Sequence, residues 1–116
     1  MVVNKPTIII YSRKPDEDLL REVCAGIEEE GVLYQVLSRE GETDDLAFEA
    51  AKESMLGCGI GINGTNLAMQ MQRLPKGHNV FELCKPRFWQ CRNLGANSAR
   101  AIKKMPFKPV TGDEPL

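Results

Sequence analysis

Residues 58–71 read CGIGINGTNLAMQM, two strand-like runs separated by an Asn-Gly dipeptide. The first run, Cys58 to Ile62, is short and apolar, which is typical of a buried strand. Asn63-Gly64 is a strong signal for a two-residue turn. From Leu67 to Gln72, apolar residues then alternate with Ala68 and two glutamines, a period of two with one wetter face. We therefore expect two antiparallel strands joined by a tight turn.

Gly59 to Gly64 also matches G-x-G-x-x-G, the fingerprint of dinucleotide-binding sites. In such sites the glycines follow a strand and open a helix, whose amides then meet the pyrophosphate. Here the glycines lie within the strand, so we favour a steric role. Gly57, Gly59 and Gly61 lie on one face of the strand and leave it bare for close approach. We expect a helix of the same chain to pack there; a partner surface is the alternative.

The sequence before this hairpin alternates between strand and helix signals. Residues 7–11 form a β-branched run, and Pro15 followed by three acidic residues marks the start of a helix. Val32–Leu37 reads as a second strand and Asp44–Ser54 as a second helix. The order βαβαβ predicts a mainly parallel sheet with helices packed on its faces.

The sequence after the hairpin predicts a fifth strand at Val80–Leu83, a helix at Asn93–Lys104 and an extended tail at residues 106–116. Between strand and helix, residues 85–90 read as a loop that carries Phe88 and Trp89. Large aromatic residues are enriched at protein interfaces, and they occur equally in a loop that folds back over the core. We expect residues 1–116 to form a single domain.

Composition excludes several classes of function. The 116 residues include 15 basic and 16 acidic side chains, so the basic footprint of a nucleic-acid-binding protein is missing. The apolar runs are too short to cross a membrane, and we expect a cytosolic protein. Four cysteines and one histidine do not match zinc-ligand spacing, and no catalytic constellation stands out, so we do not expect an enzyme. Cys84 and Cys91 flank the predicted loop, a position that is compatible with exposure.

Residues 26–31 read GIEEEG at the predicted end of the first helix. A helix C-terminus carries partial negative charge and favours cations, so three acidic residues are electrostatically unfavourable there. Helical geometry places Glu29 almost directly away from the core, with Glu28 and Glu30 on its flanks. Gly31 fits the left-handed position that ends a helix. The simplest alternative is a solubilising surface cluster.

Three stretches carry a resemblance to a known family. They are Arg21-Glu22-Val23 followed by GIEEEGV at 26–32, CRNLGANSAR at 91–100, and KMPF at 104–107. In this combination and over nearly the whole chain, the sequence resembles the small subunit of diol and glycerol dehydratase reactivases.

The resemblance implies a three-layer α/β/α fold with a five-stranded mixed sheet, similar to anticodon-binding domains, whose fourth strand is antiparallel. It also implies a function. The small subunit works with a large, actin-like ATPase subunit to release damaged cobalamin from a coenzyme B12-dependent dehydratase. It leaves the large subunit so that a dehydratase subunit takes its place, and it has no active site of its own. The implied location is the cytoplasm, with association to a bacterial microcompartment left open.

The resemblance further implies that Glu29 reaches a Mg²⁺ ion held by the large subunit, because a hard cation accepts oxygen ligands from a neighbouring chain. Glu28, Glu30, Arg92 and Asn93 are expected at the same interface, and the isolated chain is expected to bind no cofactor. On this hypothesis the acidic charge is neutralised only in the complex. Two other classes stay open: a structural subunit of the dehydratase itself, and a small α/β ligand-binding domain or enzyme that uses the Gly57–Gly64 strand.

Overall fold

The computed structural model describes residues 5–115, which form a five-stranded sheet and three helices. In chain order the elements are β1 (Ile8–Arg13), α1 (Glu17–Glu29), β2 (Tyr34–Ser38), α2 (Thr43–Glu53), β3 (Cys58–Asn63), β4 (Asn66–Met71), β5 (Phe81–Cys84) and α3 (Phe88–Lys103). Within this part of the chain, no helix is long and apolar enough to span a membrane.

The strands follow the order β2-β1-β3-β4-β5 across the sheet. β1 pairs in parallel with β2 and β3, whereas β4 is antiparallel to both of its neighbours. The expectation of a mixed sheet with an antiparallel fourth strand is thus confirmed. The last pair of the hairpin is Asn63 with Asn66, so the turn residues are Gly64 and Thr65, one position later than predicted.

Helices cover both faces of the sheet, which gives the expected three layers. α1 and α3 lie on one face, over a large apolar core that includes Ile10, Ile60 and Met69. α2 lies on the other face, over a smaller cluster around Ile9 and Leu46.

The glycines of β3 allow α2 to pack directly on the sheet. A Cβ atom added to Gly59 would overlap backbone atoms of Ala50 and Ala51, and one added to Gly61 would overlap the Ala47 amide. The steric interpretation of the G-x-G-x-x-G pattern, with a helix of the same chain, is therefore confirmed. Gly57 differs from the other two, because it precedes β3 and has a positive φ of 74°.

The face of β4 that carries Ala68 and Gln70 is buried, whereas the sequence predicted that this face would be more exposed to solvent. Both residues are buried beneath α2. The Gln70 amide compensates for its burial by donating a hydrogen bond to the Pro75 carbonyl (3.1 Å) and accepting one from the Met71 amide (3.0 Å). The alternation of residue types identified the two faces of the strand, but only the position of α2 determines which face is exposed to solvent.

α3 begins at Phe88, five residues before the predicted start. The prediction of a loop at 85–90 is therefore wrong for residues 88–90, which are helical. The Gln90 side chain accepts a hydrogen bond from the Arg87 amide (2.7 Å) and caps the helix. The aromatics therefore occupy the first turn, with Phe88 55% exposed. Cys91 is fully buried rather than exposed because it faces the core, and burial raises the pKa of its thiol to about 12. Cys84, by contrast, is exposed.

The segment after α3 lies along that helix and is held by a row of its amide side chains. The Asn97 amide group donates to the Lys108 carbonyl (2.8 Å), and its oxygen accepts from the Lys108 amide (2.7 Å). Gln90 donates to the Val110 carbonyl (2.7 Å), and the Val110 side chain is buried in the core. These contacts attach residues 108–110 to α3.

Candidate partner interface

α1 ends where the sequence predicted, but Glu29, which was expected to point away from the core, turns its carboxylate to Arg92 on α3. α1 ends at Glu29, Glu30 is the C-cap residue, and Gly31 follows in the left-handed region with a φ of 76°. The last turn of α1 has no basic residue. Compensating charge for the three glutamates must therefore come from outside the helix.

α3 supplies that charge to Glu29 and Glu30, because two glycines allow it to lie very close to α1. A Cβ atom on Gly26 would overlap the Arg92 carbonyl group, and one on Gly95 would overlap the Val23 carbonyl group. The backbones of the two helices are thus in contact at both glycines. At this separation, side chains of α3 reach the acidic residues of α1.

Arg92 connects two glutamates of α1. Its Nε donates to Glu22 Oε1 (2.9 Å) and its Nη1 donates to Glu29 Oε2 (2.8 Å). The hydrogen bond to Glu22, together with the charges of both carboxylates, raises the pKa of the guanidinium. The Glu29 side chain remains 52% exposed, whereas that of Glu22 is 23% exposed.

Glu30 has a mostly buried side chain and is neutralised within the chain. Its side chain is only 10% exposed, and its carboxylate accepts hydrogen bonds from Arg100 (3.1 Å) and Lys103 (3.2 Å). Burial alone would raise the pKa of this carboxyl, but the two cations outweigh burial and lower it. The hypothesis that the acidic charge is neutralised only in a complex is therefore wrong for Glu30, and Arg92 offsets part of it at Glu29.

Glu28 lies on the opposite flank, where its carboxylate accepts a hydrogen bond from the Tyr34 hydroxyl (2.6 Å). This bond raises the pKa of Tyr34, because it stabilises the protonated phenol. Glu28 and Tyr34 border a shallow concavity of about 370 Å³ with residues 31–33. Within it, Leu33 is 66% exposed.

Of the five expected interface residues, the structure joins Glu29 and Arg92 directly. Glu30 follows Glu29 in the chain but pairs with Arg100 and Lys103, and Glu28 binds Tyr34 on the opposite flank. The fifth, Asn93, faces a different way, because its amide donates to the Pro109 carbonyl (2.8 Å) and holds the C-terminal segment. Sequence reasoning missed Glu22, Arg100 and Lys103 as members of this cluster. A signal for Glu22 was present, since residues 22, 26 and 29 share one face of a helix.

Comparison with known proteins identifies the family of this chain. A sequence model of the dehydratase medium subunit family matches residues 5–108. The small subunit of the diol dehydratase-reactivating factor of Klebsiella michiganensis is 34% identical over 110 residues, which cover 93% of this chain and 88% of the relative. The chain belongs to the family of dehydratase-reactivating factor small subunits.

Other members and solved structures agree. A propanediol dehydratase-reactivating factor small subunit of Salmonella typhimurium is 34% identical, with 90% of this chain and 92% of the relative covered. The structure of a diol dehydratase-reactivating factor complexed with ADP and Mg²⁺ contains a chain that superposes with a TM-score of 0.86 at 34% identity, covering 91% of this chain and all of that one. A glycerol dehydratase reactivase chain superposes equally well, at 26% identity.

Proposed function

We propose that this small subunit works with a large, actin-like ATPase subunit to release damaged cobalamin from a coenzyme B12-dependent diol or glycerol dehydratase by subunit exchange. The observation that carries the proposal is the match in length and identity to reactivating-factor small subunits, which this chain covers almost completely. The name of the matching family, dehydratase medium subunit, adds support. It indicates that a dehydratase subunit shares this fold, as an exchange partner would.

In this proposal the chain has no active site, and its role is to occupy a position on the large subunit until a dehydratase subunit replaces it. The proposal places the chain in the cytoplasm with its client enzyme, including any client enclosed in a bacterial microcompartment. The main alternative is that the chain is itself a structural subunit of a dehydratase, which the family name also favours.

We further infer that Glu29 supplies an oxygen ligand to a Mg²⁺ ion on the large subunit. The donor chemistry fits, because a carboxylate is a preferred ligand of this hard cation. Arg92 engages Oε2 of Glu29, which leaves Oε1 of a half-exposed side chain for a partner. Glu30 is less suitable, since its mostly buried carboxylate is already paired with two cations. Glu28 and Arg92 would border the contact, whereas the expected contribution of Asn93 is not supported, because its side chain holds the C-terminal segment.

Reconstitution tests the proposed role. The chain and a large reactivase subunit are mixed with an inactivated dehydratase holoenzyme, ATP, Mg²⁺ and fresh adenosylcobalamin, while the absorbance of released cobalamin is followed. We expect cobalamin release and recovered dehydratase activity only when both subunits are present. If the chain instead co-purifies with the catalytic dehydratase subunits and supports turnover without a large reactivase subunit, it is a dehydratase subunit.

A further inference from the structure

We propose that Arg92 is a positioning residue that holds the Glu29 carboxylate in the orientation in which it meets the cation of the large subunit. This inference rests on the proposed role of Glu29. It assigns Arg92 a function exerted through Glu29 rather than through contact of its own with the partner.

The first support is the way Arg92 is fixed. Glu22, Gly26 and Glu29 are spaced i, i+4 and i+7 and form one stripe on α1. Arg92 crosses this stripe at its centre, because its carbonyl group packs on Gly26. From there the guanidinium reaches Glu22 in one direction and Glu29 in the other. Because Gly26 has no side chain, Arg92 can lie between the two acidic residues.

The second support is the unequal exposure of the two carboxylates. Glu22 is the more buried partner and accepts from Nε, the least mobile nitrogen of the guanidinium. Glu29 is the more exposed partner and accepts from Nη1 through a single oxygen. Glu22 therefore anchors the planar guanidinium, and the guanidinium in turn orients the exposed carboxylate.

The third support is chemical. Carboxylates that bind metal ions are commonly oriented by a hydrogen bond from a second protein group, and loss of that group weakens metal affinity about 10- to 100-fold. A lysine does not reproduce the arrangement, because its ammonium lacks the planar fork that contacts both acids. Glu30 provides a contrast, since Arg100 and Lys103 bind its carboxylate in a buried site.

The test measures how Mg²⁺ stabilises the complex with the large subunit. Dissociation rates of the complex are recorded across a Mg²⁺ titration for the native chain and for Arg92→Gln, Arg92→Lys and Glu22→Gln. We expect the Mg²⁺ midpoint to rise about tenfold for Arg92→Gln, the low end of the range for such groups. Arg92→Lys recovers only part of this loss, and Glu22→Gln raises the midpoint by less than Arg92→Gln does, because the anchor of the guanidinium is weakened but the guanidinium is retained.

Two controls separate positioning from general structural damage. Arg100→Gln removes the corresponding arginine at Glu30 and should lower the melting temperature without moving the Mg²⁺ midpoint. Arg92→Gln combined with Glu29→Ala should behave like Glu29→Ala alone, because the two residues act as a unit.

The outcomes distinguish this inference from the proposed function. If Glu29→Ala abolishes the Mg²⁺ dependence but Arg92→Gln leaves the midpoint unchanged or lowers it, Arg92 does not position Glu29 and only this inference fails. If the native complex shows no Mg²⁺ dependence, the cation role of Glu29 fails first, and the role of Arg92 fails with it.

Discussion

Replacing Gly26 with alanine tests whether the contact between α1 and α3 depends on a glycine. In an isolated helix this substitution stabilises by about 1 kcal/mol, because alanine is the better helix former. The structure predicts the opposite sign. The added Cβ would lie 2.8 Å from the Ala96 amide nitrogen, whereas ordinary contact begins at 3.4 Å, and closer still to the Arg92 carbonyl oxygen.

The magnitude follows from that overlap. α3 must move away from α1 by at least about 0.6 Å at Ala96 and by more at Arg92. Overpacking of this kind costs about 1–3 kcal/mol. Because backbone atoms cannot rotate aside as a side chain does, we take the upper end, about 3 kcal/mol. After the gain in helix propensity, the expected net loss is about 2 kcal/mol, or a melting temperature lower by about 8 °C.

Urea unfolding of the isolated chain, followed by the fluorescence of its single tryptophan and by circular dichroism, measures the change. Gly31→Ala is the matched control, because a Cβ there meets nothing within 4 Å and only the left-handed backbone costs about 1 kcal/mol. Gly95→Ala should be less than additive with Gly26→Ala, since both separate the same helices. A Gly26→Ala chain as stable as the native one, or more stable, would refute the argument.

Three further predictions concern the rest of the fold. Gly59→Val should destabilise by more than about 3 kcal/mol in urea unfolding, because it overlaps the α2 backbone, and near-native stability would show that the bare face is incidental. Asn97→Ala should cost about 2 kcal/mol and speed hydrogen exchange at the Lys108 amide, which loses its acceptor; unchanged exchange would contradict the attachment of the C-terminal segment. Glu30→Gln should lower the melting temperature at neutral pH. Because the folded pKa of Glu30 is lowered, its contribution is present above its ordinary pKa of about 4 and is lost as pH falls through the folded value. The difference between native and variant should therefore shrink below about pH 4, and a constant difference across the titration would contradict this assignment.

Much of the fold follows from local sequence signals. The β-branched run in β1, the acids after Pro15 and Gly31 at the end of α1 each predict a feature by a local mechanism, and the structure has all three. The antiparallel β4 followed from its period of two and the adjacent turn signal.

The errors arise where a distant contact decides the outcome. α3 starts early because Cys91 enters the core and Gln90 donates to the Val110 carbonyl, 20 residues away, while a Phe-Trp pair gives no local indication of a first turn. Gln70 is buried because α2 lies over it. The ion pairs of Glu29 and Glu30 join residues 63 to 73 positions apart, and their formation depends on Gly26 and Gly95 bringing α3 onto α1. Neither the periodicity nor the composition of α1 alone predicts which residues of α3 pair with these glutamates.

The proposal that Glu29 carries an oxygen ligand to the large subunit is tested most directly by the dissociation rate of the two-subunit complex. The rate is measured in Mg²⁺ and in EDTA for the native chain, Glu29→Ala and Glu28→Ala. Glu29→Ala should leave the stability of the free chain within about 1 kcal/mol, since it removes only a half-exposed ion pair. In Mg²⁺ it should dissociate at least about tenfold faster than native, a loss of about 1.4 kcal/mol, while Glu28→Ala changes little. In EDTA, all three chains should dissociate at similar rates. Equal losses for both variants, independent of Mg²⁺, would contradict a cation ligand and indicate a general acidic surface.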